Sequence, residues 1–300
     1  MYEQYLIEFK QQVELLAMDP VKVDTWHKNI NEIIEHNSNS ENSWKKGINS
    51  FTDMTFEEFA SFYIMAPQAD CSATEGSSKA LFEIEEQDLD MPAGWDWRDH
   101  KGVTPVKNQG HCGSCWTFST VGTLEAHIMI KYGEFRNISE QQLVDCAQAF
   151  DNHGCNGGLP SHAFNYIMYN GGITDESHYP YTAKDGACGY FPNNKTAEVD
   201  GGPINITRGD EDELKAAVYM HGPVSVAFQV IKGFKEYHSG VYQSDECGTL
   251  PTQVNHAVVA VGYGVENDVP YWIVKNSWSA TWGDQGYFKI ARGVNMCGIA

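Results

Sequence analysis

Basic residues are scarce in this chain, and long apolar runs are absent from it. Lys and Arg number 20 against 40 Asp and Glu, which gives a net charge of −20 and a sequence pI near 4.8. A chain this acidic has no electrostatic reason to bind nucleic acid or an anionic membrane. No run of eighteen apolar residues occurs, so we expect no membrane insertion. The first ten residues mix polar and apolar types, unlike a signal peptide.

The rest of the composition is that of a folded protein with a substantial core. The 300 residues are 42% hydrophobic and include eight Trp and 28 Gly, which predicts one large domain or a domain with an appendage. Eight cysteines are too few for a miniature disulfide scaffold. Their number alone leaves open which of them pair.

Charge is unevenly distributed along the chain. Residues 1–90 contain 6 Lys, no Arg and 18 Asp and Glu, a net charge of −12, whereas residues 91–300 carry −8. The stretch 66–90 is polar and acidic, and such a segment buries little apolar surface. We therefore predict an acidic linker over 66–90 and a domain boundary near Met91.

Hydrophobic periodicity predicts mainly helices in the first part of the chain and strands in the last part. The expected helices are 12–37, 55–63, 115–132, one from Ser139 towards Cys146, and 160–170. The expected strands are 224–230, 256–262, 271–275 and 286–291. Helices followed by strands indicate an α+β protein of two unlike halves.

The densest chemistry lies at residues 109–116, Gln-Gly-His-Cys-Gly-Ser-Cys-Trp. Cys115 falls where a helix is expected to begin, and the partial positive charge of a helix start favours a thiolate. His256 leads a predicted strand and Asn276 follows another, and such a set can form a nucleophile, a base and an orienting group. Taken alone, a Cys-x-x-Cys pattern is as often structural, metal-binding or redox, and a lone His on an apolar strand is usually a core residue.

These motifs strongly resemble those of the papain-like cysteine peptidases, over essentially the whole chain. The resemblance implies an α+β fold with a helical half, a β-barrel-like half and an active-site cleft between them. It implies that Cys115 is the nucleophile, His256 the general base and Asn276 the residue that orients His256. Gln109 and the backbone N–H of Cys115 would form the oxyanion hole, and Trp278 would shield the Asn276–His256 contact from water. The resemblance implies no cofactor and no metal.

Other readings remain open on the sequence. An inactive homologue or propeptide-type inhibitor is one alternative, although all four expected catalytic residues are present. A thiol–disulfide oxidoreductase that uses Cys112 and Cys115 is another. Zinc binding by Cys146, His153 and Cys155 is disfavoured, because no second Cys-x-x-Cys stands at zinc-finger spacing.

The same resemblance assigns a substrate site and a disulfide pattern. Substrate backbone would pair with the edge at Gly157 and Gly158, as in strand addition, beside an apolar specificity pocket. The substrate-binding residues that it implies are Gly157, Gly158, Leu159, Pro160, Ala227, Ala257 and Trp278. The disulfides that it implies are Cys112–Cys155, Cys146–Cys188 and Cys247–Cys297. Cys115 would remain a thiol, and three disulfides require an oxidising compartment.

The leading segment, residues 1–65, resembles the inhibitory propeptide of this family. Gly47, Asn49, Phe51 and Asp53 match its Gly-x-Asn-x-Phe-x-Asp motif at every fixed position, whereas its helical motif is only partly kept. The resemblance implies a segment that blocks the cleft of the peptidase domain while running backwards through it. The acidity of the segment predicts release at low pH, as its carboxylates lose charge.

Residues 68–74, Gln-Ala-Asp-Cys-Ser-Ala-Thr, resemble the mini-chain of an aminopeptidase branch of the family. In that branch an excised peptide stays disulfide-bonded to the catalytic domain, and its terminal carboxylate meets the free amine of a substrate. Asp70 replaces the Asn of the usual sequon, so no glycan is expected there. The partner cysteine would lie just beyond Ala300, so we expect a truncated C-terminus; an incidental linker cysteine at Cys71 is the alternative.

Location and partners follow from the same resemblance. Three N-glycosylation sequons, at Asn137, Asn194 and Asn205, agree with an oxidising compartment. We expect a lysosome or a lysosome-like vacuole, or secretion. The expected partners are peptide and protein substrates, the leading segment as inhibitor and cystatin-type inhibitors, with no nucleic acid and with the chain as a monomer.

Overall fold

The computed structural model describes residues 1–10, 19–65 and 90–300. The predicted mini-chain with Cys71, and all but the last residue of the predicted linker, lie outside the described residues. The helices are α1 (Tyr2–Lys10), α2 (Pro20–Ser38), α3 (Phe56–Tyr63), α4 (Cys115–Tyr132), α5 (Glu140–Cys146), α6 (Pro160–Tyr169) and α7 (Glu211–Met220). The strands are β1 (Trp44–Lys46), β2 (Trp95–Asp96), β3 (Ile173–Thr174), β4 (Lys195–Ala197), β5 (Val224–Phe228), β6 (Tyr237–Tyr242), β7 (His256–Glu266), β8 (Val269–Lys275) and β9 (Tyr287–Ala291).

The main domain, residues 91–300, consists of a helical half around α4 and a sheet half built on β5 to β9. Helix α4 is buried on most of its surface, because α5 and α6 pack on one side of it and strands β5 and β7 pack on the other. A helix enclosed in this way is a core element and positions whatever lies at its ends. Its first residue therefore lies at the junction of the two halves.

The large sheet has the strand order β1-β6-β9-β8-β7-β2, and β5 also pairs with β7. Strands β7 and β8 are antiparallel, with Val259 opposite Lys275. Antiparallel pairing places the first residues of β7 beside the end of β8, so His256 and Asn276 meet although 20 residues separate them. Strands β3 and β4 form a separate two-stranded sheet in the helical half.

The leading segment folds on the sheet half and extends it by one strand. Strand β1 pairs antiparallel with β6, with Trp44 opposite Gly240. Within the segment, α1 and α2 pack through an aromatic cluster of Tyr2, Tyr5 and Trp26, whose ring centroids lie 5.6–6.0 Å apart. The cluster and the added strand give the segment a core of its own together with a long contact to the main domain.

Asp53, the last fixed residue of the propeptide motif, ties α1 to the rest of the leading segment. Its carboxylate accepts a hydrogen bond from the Tyr5 hydroxyl at 3.1 Å and forms an ion pair with Lys10 at 2.9 Å. The carboxylate is almost fully buried, with 6% of the side chain exposed. These two contacts hold α1 against the loop that carries the motif.

The structure contains the three disulfides that the resemblance implied, Cys112–Cys155, Cys146–Cys188 and Cys247–Cys297. They close loops with sequence separations of 43, 42 and 50 residues. In the chain-entropy model, a disulfide closing such a loop stabilises the folded state by about 4 kcal/mol. Cys112 lies three residues before Cys115, so its disulfide with Cys155 anchors the loop that leads into α4.

The predicted helix 12–37 does not run through Asp19, and its residues 12–18 lie outside the described part of the chain. Helix α2 begins at Pro20, because Asp19 is in an extended conformation and its side chain accepts the N–H of Val21 as a cap. The periodicity also does not reveal α1, α7 or β6. Helix α7 has three acidic residues in its first turn and β6 contains polar residues and a Gly, so neither shows a clean apolar repeat. Helix α4 has the predicted bounds.

Candidate active site

Cys115 is the first residue of α4 and is completely buried. The chain folds into a helix from this point because Ser114 still has non-helical dihedral angles, whereas the residues after it follow the helical repeat. The positive end of the helix favours a thiolate at this sulfur. The backbone N–H of Ala257, at the start of β7, donates to Sγ at 3.5 Å, so the sulfur faces the sheet half.

His256 and Asn276 are hydrogen-bonded side by side at the edge of the sheet half. Nε2 of His256 lies 2.8 Å from Oδ1 of Asn276, and both side chains are buried. Because the amide oxygen can only accept, Nε2 carries the proton and Nδ1 is the basic nitrogen. Within the described part of the chain, no hydrogen-bond partner reaches Nδ1. Asn276 therefore selects the tautomer of His256 that can take a proton from a thiol.

Burial lowers the pKa of His256 from 6.5 to about 4, and the hydrogen bond to Asn276 opposes this shift only in part. An imidazolium without water or a counter-charge is costly, so the neutral imidazole dominates above pH 4. The leading segment contributes to this burial, since Phe51 and Phe59 pack on Trp278, which in turn covers His256. The covered state thus holds the base neutral.

Gln109 is fully buried, and its side-chain amide is fixed at both ends. Oε1 accepts hydrogen bonds from the Ser277 hydroxyl at 2.8 Å and from Nε1 of Trp278 at 3.1 Å. Nε2 is thereby turned away from the sheet half and donates to the carbonyls of Cys112 at 2.9 Å and Tyr63 at 3.2 Å. Gln109 thus presents a donor that is oriented in advance.

Trp278 has a wider role than the shielding that the sequence predicts. The centroid of its ring lies 4.6 Å from that of the His256 ring. The same indole also orients Gln109 and receives the edges of Phe51 and Phe59, with centroids 5.9 and 5.1 Å away. One side chain therefore joins His256, Gln109 and the leading segment.

The leading segment continues from α3 directly across the cleft. The carbonyl of Tyr63 accepts the hydrogen bond from Gln109, and the N–H of Met65 donates to the carbonyl of Asn255 at 3.0 Å. Met65 is buried in the same apolar cluster as Cys115 and Ala257. Tyr63 and Met65 were not identified as cleft residues from the sequence. Their position at the end of the predicted helix 55–63 and just after it is the signal that could have identified them.

The expected substrate-binding residues fall into two groups around Cys115. Gly157 and Gly158 form the first group, a backbone edge. Asn152 holds this edge in place, because its Oδ1 accepts a hydrogen bond from the N–H of the following residue, Leu159, at 2.9 Å. A Cβ on Gly158 would lie 2.8 Å from the ring of Trp116, so only glycine fits there. The second group includes Pro160 and Ala227, which line a largely apolar cavity of about 570 Å³ between the halves, and Ala257, which contacts Cys115 through its N–H.

A buried ionic network beneath the site was not anticipated from the sequence. Nζ of Lys107 lies 2.8 Å from carboxylate oxygens of both Glu125 in α4 and Glu140 in α5. Thr104 donates to Glu125 at 2.6 Å and accepts from Lys275 at 3.0 Å. Burial raises the pKa of Glu140 and lowers that of Lys275. The network joins α4, which begins with Cys115, to Lys275 at the end of β8, and Asn276 is the next residue in the chain.

The remaining predicted positions lie away from the cleft. Asn137 and Asn194 are exposed, whereas Asn205 is half-buried at the rim of the cavity. Among residues 1–10, 19–65 and 90–300, no cluster of three His, Cys, Asp or Glu side chains could hold a metal ion. None of the helices in these ranges is both long and apolar enough to cross a membrane.

Comparison with known proteins gives the family. The description "Papain family cysteine protease" matches residues 91–300, and "Cathepsin propeptide inhibitor domain (I29)" matches residues 2–59. The oryzain gamma chain of Oryza sativa subsp. japonica is 57% identical over 257 residues, which cover 86% of this chain and 69% of the relative. Pro-cathepsin H of Bos taurus is 49% identical over 281 residues, covering 93% and 81%.

Solved structures agree with these relatives. The digestive procathepsin L2 proteinase from the Tenebrio molitor larval midgut superposes with a TM-score of 0.90 at 38% identity, over 100% of this chain and 96% of that one. The predicted α+β papain-like fold with a leading propeptide is confirmed. The chain belongs to the papain family of cysteine proteases and is a zymogen, similar to pro-cathepsin H, whose leading segment is a propeptide inhibitor domain.

Proposed function

We propose that the main domain hydrolyses peptide bonds through a thioester on Cys115. Sγ attacks the carbonyl carbon of the substrate while the thiol proton passes to Nδ1 of His256. The proton then goes to the leaving amine as the C–N bond breaks, and water hydrolyses the thioester. The observation that carries this proposal is the placement of Cys115 at a helix start against the strand that begins with His256, whose Nε2 is held by Asn276 at 2.8 Å.

The oxyanion of the tetrahedral intermediate needs donors in a site without water. We propose Nε2 of Gln109 and the backbone N–H of Cys115 for this role. The contact between Nε2 of Gln109 and the carbonyl of Tyr63 supports the assignment, because a peptide carbonyl in the cleft already accepts from this donor. Trp278 would keep water from the Asn276–His256 pair, since it is itself 1% exposed.

The domain organisation is part of the proposal. The leading segment (1–65) inhibits the main domain (91–300), and the linker (66–90) is where the two are separated by cleavage. The polar, acidic composition of the linker supports this role, because proteases cut segments that bury little apolar surface. The expected partners, besides the leading segment, are peptide and protein substrates and cystatin-type inhibitors.

We further propose that residues 68–74 act as a mini-chain and make the enzyme an aminopeptidase. The activated chain should then cleave amino-acid amides with a free N-terminus about tenfold better, in kcat/KM, than N-blocked peptides. The terminal carboxylate of the mini-chain would bind the substrate ammonium through a charge-assisted hydrogen bond. The measurement is hydrolysis of the two substrate classes before and after reduction, with Cys71→Ser as the matched variant that releases the mini-chain. A preference of the native enzyme for blocked substrates would contradict the aminopeptidase assignment while leaving peptide hydrolysis intact.

Acid should promote release of the leading segment. His256 has a pKa of about 4 when covered and a higher one, nearer its usual 6.5, once the leading segment no longer buries it, so release takes up a proton between these values. The affinity of the leading segment therefore falls as pH falls through this window, by up to tenfold per pH unit. We expect self-processing, followed by gel, to be at least about tenfold faster at pH 4.5 than at pH 7.5.

Two variants test the ion pairs of the leading segment. Asp53→Asn removes the buried carboxylate and should speed processing at pH 7.5. Glu32→Gln removes the partner of Lys232 at the surface of the main domain and should change little, because an exposed ion pair contributes at most about 1 kcal/mol. Equal processing rates of the unaltered zymogen at the two pH values would show that the pKa of His256 does not control release.

A lysosome or vacuole, or the extracellular space, is the proposed location. The three disulfides support an oxidising compartment, and the exposed Asn137 and Asn194 are accessible to glycosylation. An acidic compartment would also supply the low pH that favours release of the leading segment.

A further inference from the structure

The hydroxyl of Tyr181 joins the two stretches of chain that carry the oxyanion donors. It donates to the main-chain carbonyl of Gln109 at 2.7 Å and lies 2.6 Å from Oγ of Ser114. A phenol has one proton, and Gln109 receives it, so the Ser114 hydroxyl must donate to the Tyr181 oxygen. A single oxygen thus connects the residue that carries the side-chain donor with the residue preceding Cys115.

Ser114 makes this contact instead of capping α4 with its side chain. It occupies the cap position of α4, yet its side chain accepts no hydrogen bond from the first turn of the helix. Serine at this position ordinarily accepts such a bond, which stabilises the helix by about 1 kcal/mol. In α5 of the same domain, Ser139 does so, accepting from the N–H of Gln142 at 3.0 Å. The difference indicates that the orientation of Ser114 serves Tyr181 rather than the stability of α4.

Tyr181 is itself held in place by the helical half. Its N–H donates to a carboxylate oxygen of Glu176 at 2.8 Å, and its ring meets Phe118 edge to face at 5.0 Å. Burial raises the pKa of Tyr181 well above its usual value, so the hydroxyl stays protonated and can donate. Gln109 is meanwhile held from the sheet half by Ser277 and Trp278. The donor residue is therefore fixed from both sides of the cleft.

We propose that Tyr181 is a positioning residue of the oxyanion hole, whose hydroxyl sets the separation between Gln109 and the backbone at Ser114 and Cys115. The inference rests on the proposed function, in which Gln109 and the Cys115 N–H stabilise the oxyanion. Tyr181 acts through these groups, since its hydroxyl bonds a main-chain carbonyl and a serine. A misplacement of about 1 Å in such a site lowers the rate by up to about a hundredfold.

Tyr181→Phe tests the proposal with the smallest change available, loss of one oxygen. We expect kcat to fall about tenfold with KM changed by less than about twofold, because the ground-state substrate does not need the oxyanion donors. The variant is activated by removing the leading segment with an unrelated added protease, and rates are expressed per iodoacetate-reactive thiol. A mere folding defect would lower the number of reactive thiols but not kcat per thiol.

Tyr179→Phe is the matched control. It removes a hydroxyl two residues away that donates to Asp145 at 2.9 Å, within the same half. We expect this variant to show a similar fall in melting temperature and an unchanged kcat. Should Tyr181→Phe prove unstable, Ser114→Ala removes the other arm of the bridge, and the same fall in kcat with constant KM is expected.

A double-mutant cycle shows whether Tyr181 acts through Gln109. Gln109→Ala should lower kcat about a hundredfold, and in that background Tyr181→Phe should cost less than about threefold. If Tyr181→Phe lowers kcat no more than Tyr179→Phe does, or keeps its full effect without Gln109, the proposal is wrong and the proposed function stands. If Gln109→Ala itself leaves kcat unchanged, the oxyanion assignment fails and the proposal fails with it.

Discussion

Cys115→Ala is expected to reduce kcat/KM for peptide hydrolysis by about a millionfold, the scale seen when a protease loses its nucleophile. The loss should be this large because the neighbouring thiols cannot substitute for Sγ. Cys112, three residues away, is bonded to Cys155, and within the described residues Cys115 is the cysteine outside a disulfide. The measurement is the hydrolysis rate of a chromogenic peptide after the leading segment has been removed by an added protease.

The control for this substitution lies one turn further along the same helix. Ser119 is as deeply buried as Cys115 and bonds the carbonyl of Val258 in the sheet half at 2.7 Å. Ser119→Ala should lower the melting temperature by a few degrees and leave kcat within a few-fold of the parent value. Residual activity of more than about 1% in Cys115→Ala would contradict the assignment of Cys115 as nucleophile.

Removal of the leading segment is expected to raise the alkylation rate of Cys115 at pH 6, by up to about 300-fold through the pKa of His256 and further by uncovering the buried sulfur. In the zymogen, burial lowers the pKa of His256 from 6.5 to about 4, so the imidazole rarely takes the thiol proton. A depression of this size reduces the population of the thiolate–imidazolium pair by a factor of about 300 at a fixed thiol pKa. Since only the thiolate is alkylated, the reaction rate depends on this population as well as on the access that the leading segment leaves to the buried Cys115.

The experiment follows iodoacetate labelling of Cys115 by peptide mass spectrometry, before and after activation. Peptide mapping separates this site from Cys71, which lies outside the described residues. Asn276→Ala is the informative comparison, because it removes the hydrogen bond that favours the protonated imidazole while leaving His256 in place. Equal labelling rates in zymogen and activated enzyme would show that the leading segment blocks substrate without changing the base. Labelling of a single thiol in the activated main domain also excludes a dithiol mechanism at Cys112 and Cys115.

Much of the catalytic site could be predicted from local sequence. The helix that begins at Cys115 is encoded within a few residues by the apolar repeat and by Gly133, which is in the left-handed conformation at its end. The Gly-x-Asn-x-Phe-x-Asp motif likewise marks the leading segment, and its Asn49 and Asp53 are buried with specific partners. Such features depend on neighbours in the chain, so a single sequence carries them.

Other parts of the site depend on residues that are far apart in sequence. Tyr181 reaches Gln109 across 72 residues, and Thr104 reaches Lys275 across 171. Nothing in the local sequence around Tyr181 distinguishes it from Tyr179, whose hydroxyl bonds Asp145 instead. The start of α2 at Pro20 was predictable in principle, because Asp19-Pro20 is a helix-start pattern, but the apolar repeat before it obscured the signal.

By itself the sequence determined the family, the identity of the candidate nucleophile, base and orienting residue, and the presence of a leading inhibitor segment. These are properties of residue type and spacing, which a single sequence contains. Only the tertiary structure decided that Tyr63 and Met65 cross the cleft, that Trp278 joins His256 to Gln109, and that burial keeps His256 neutral. The reason is physical: burial and contact across the cleft arise when separate segments pack together, and the pKa of a side chain depends on that packing.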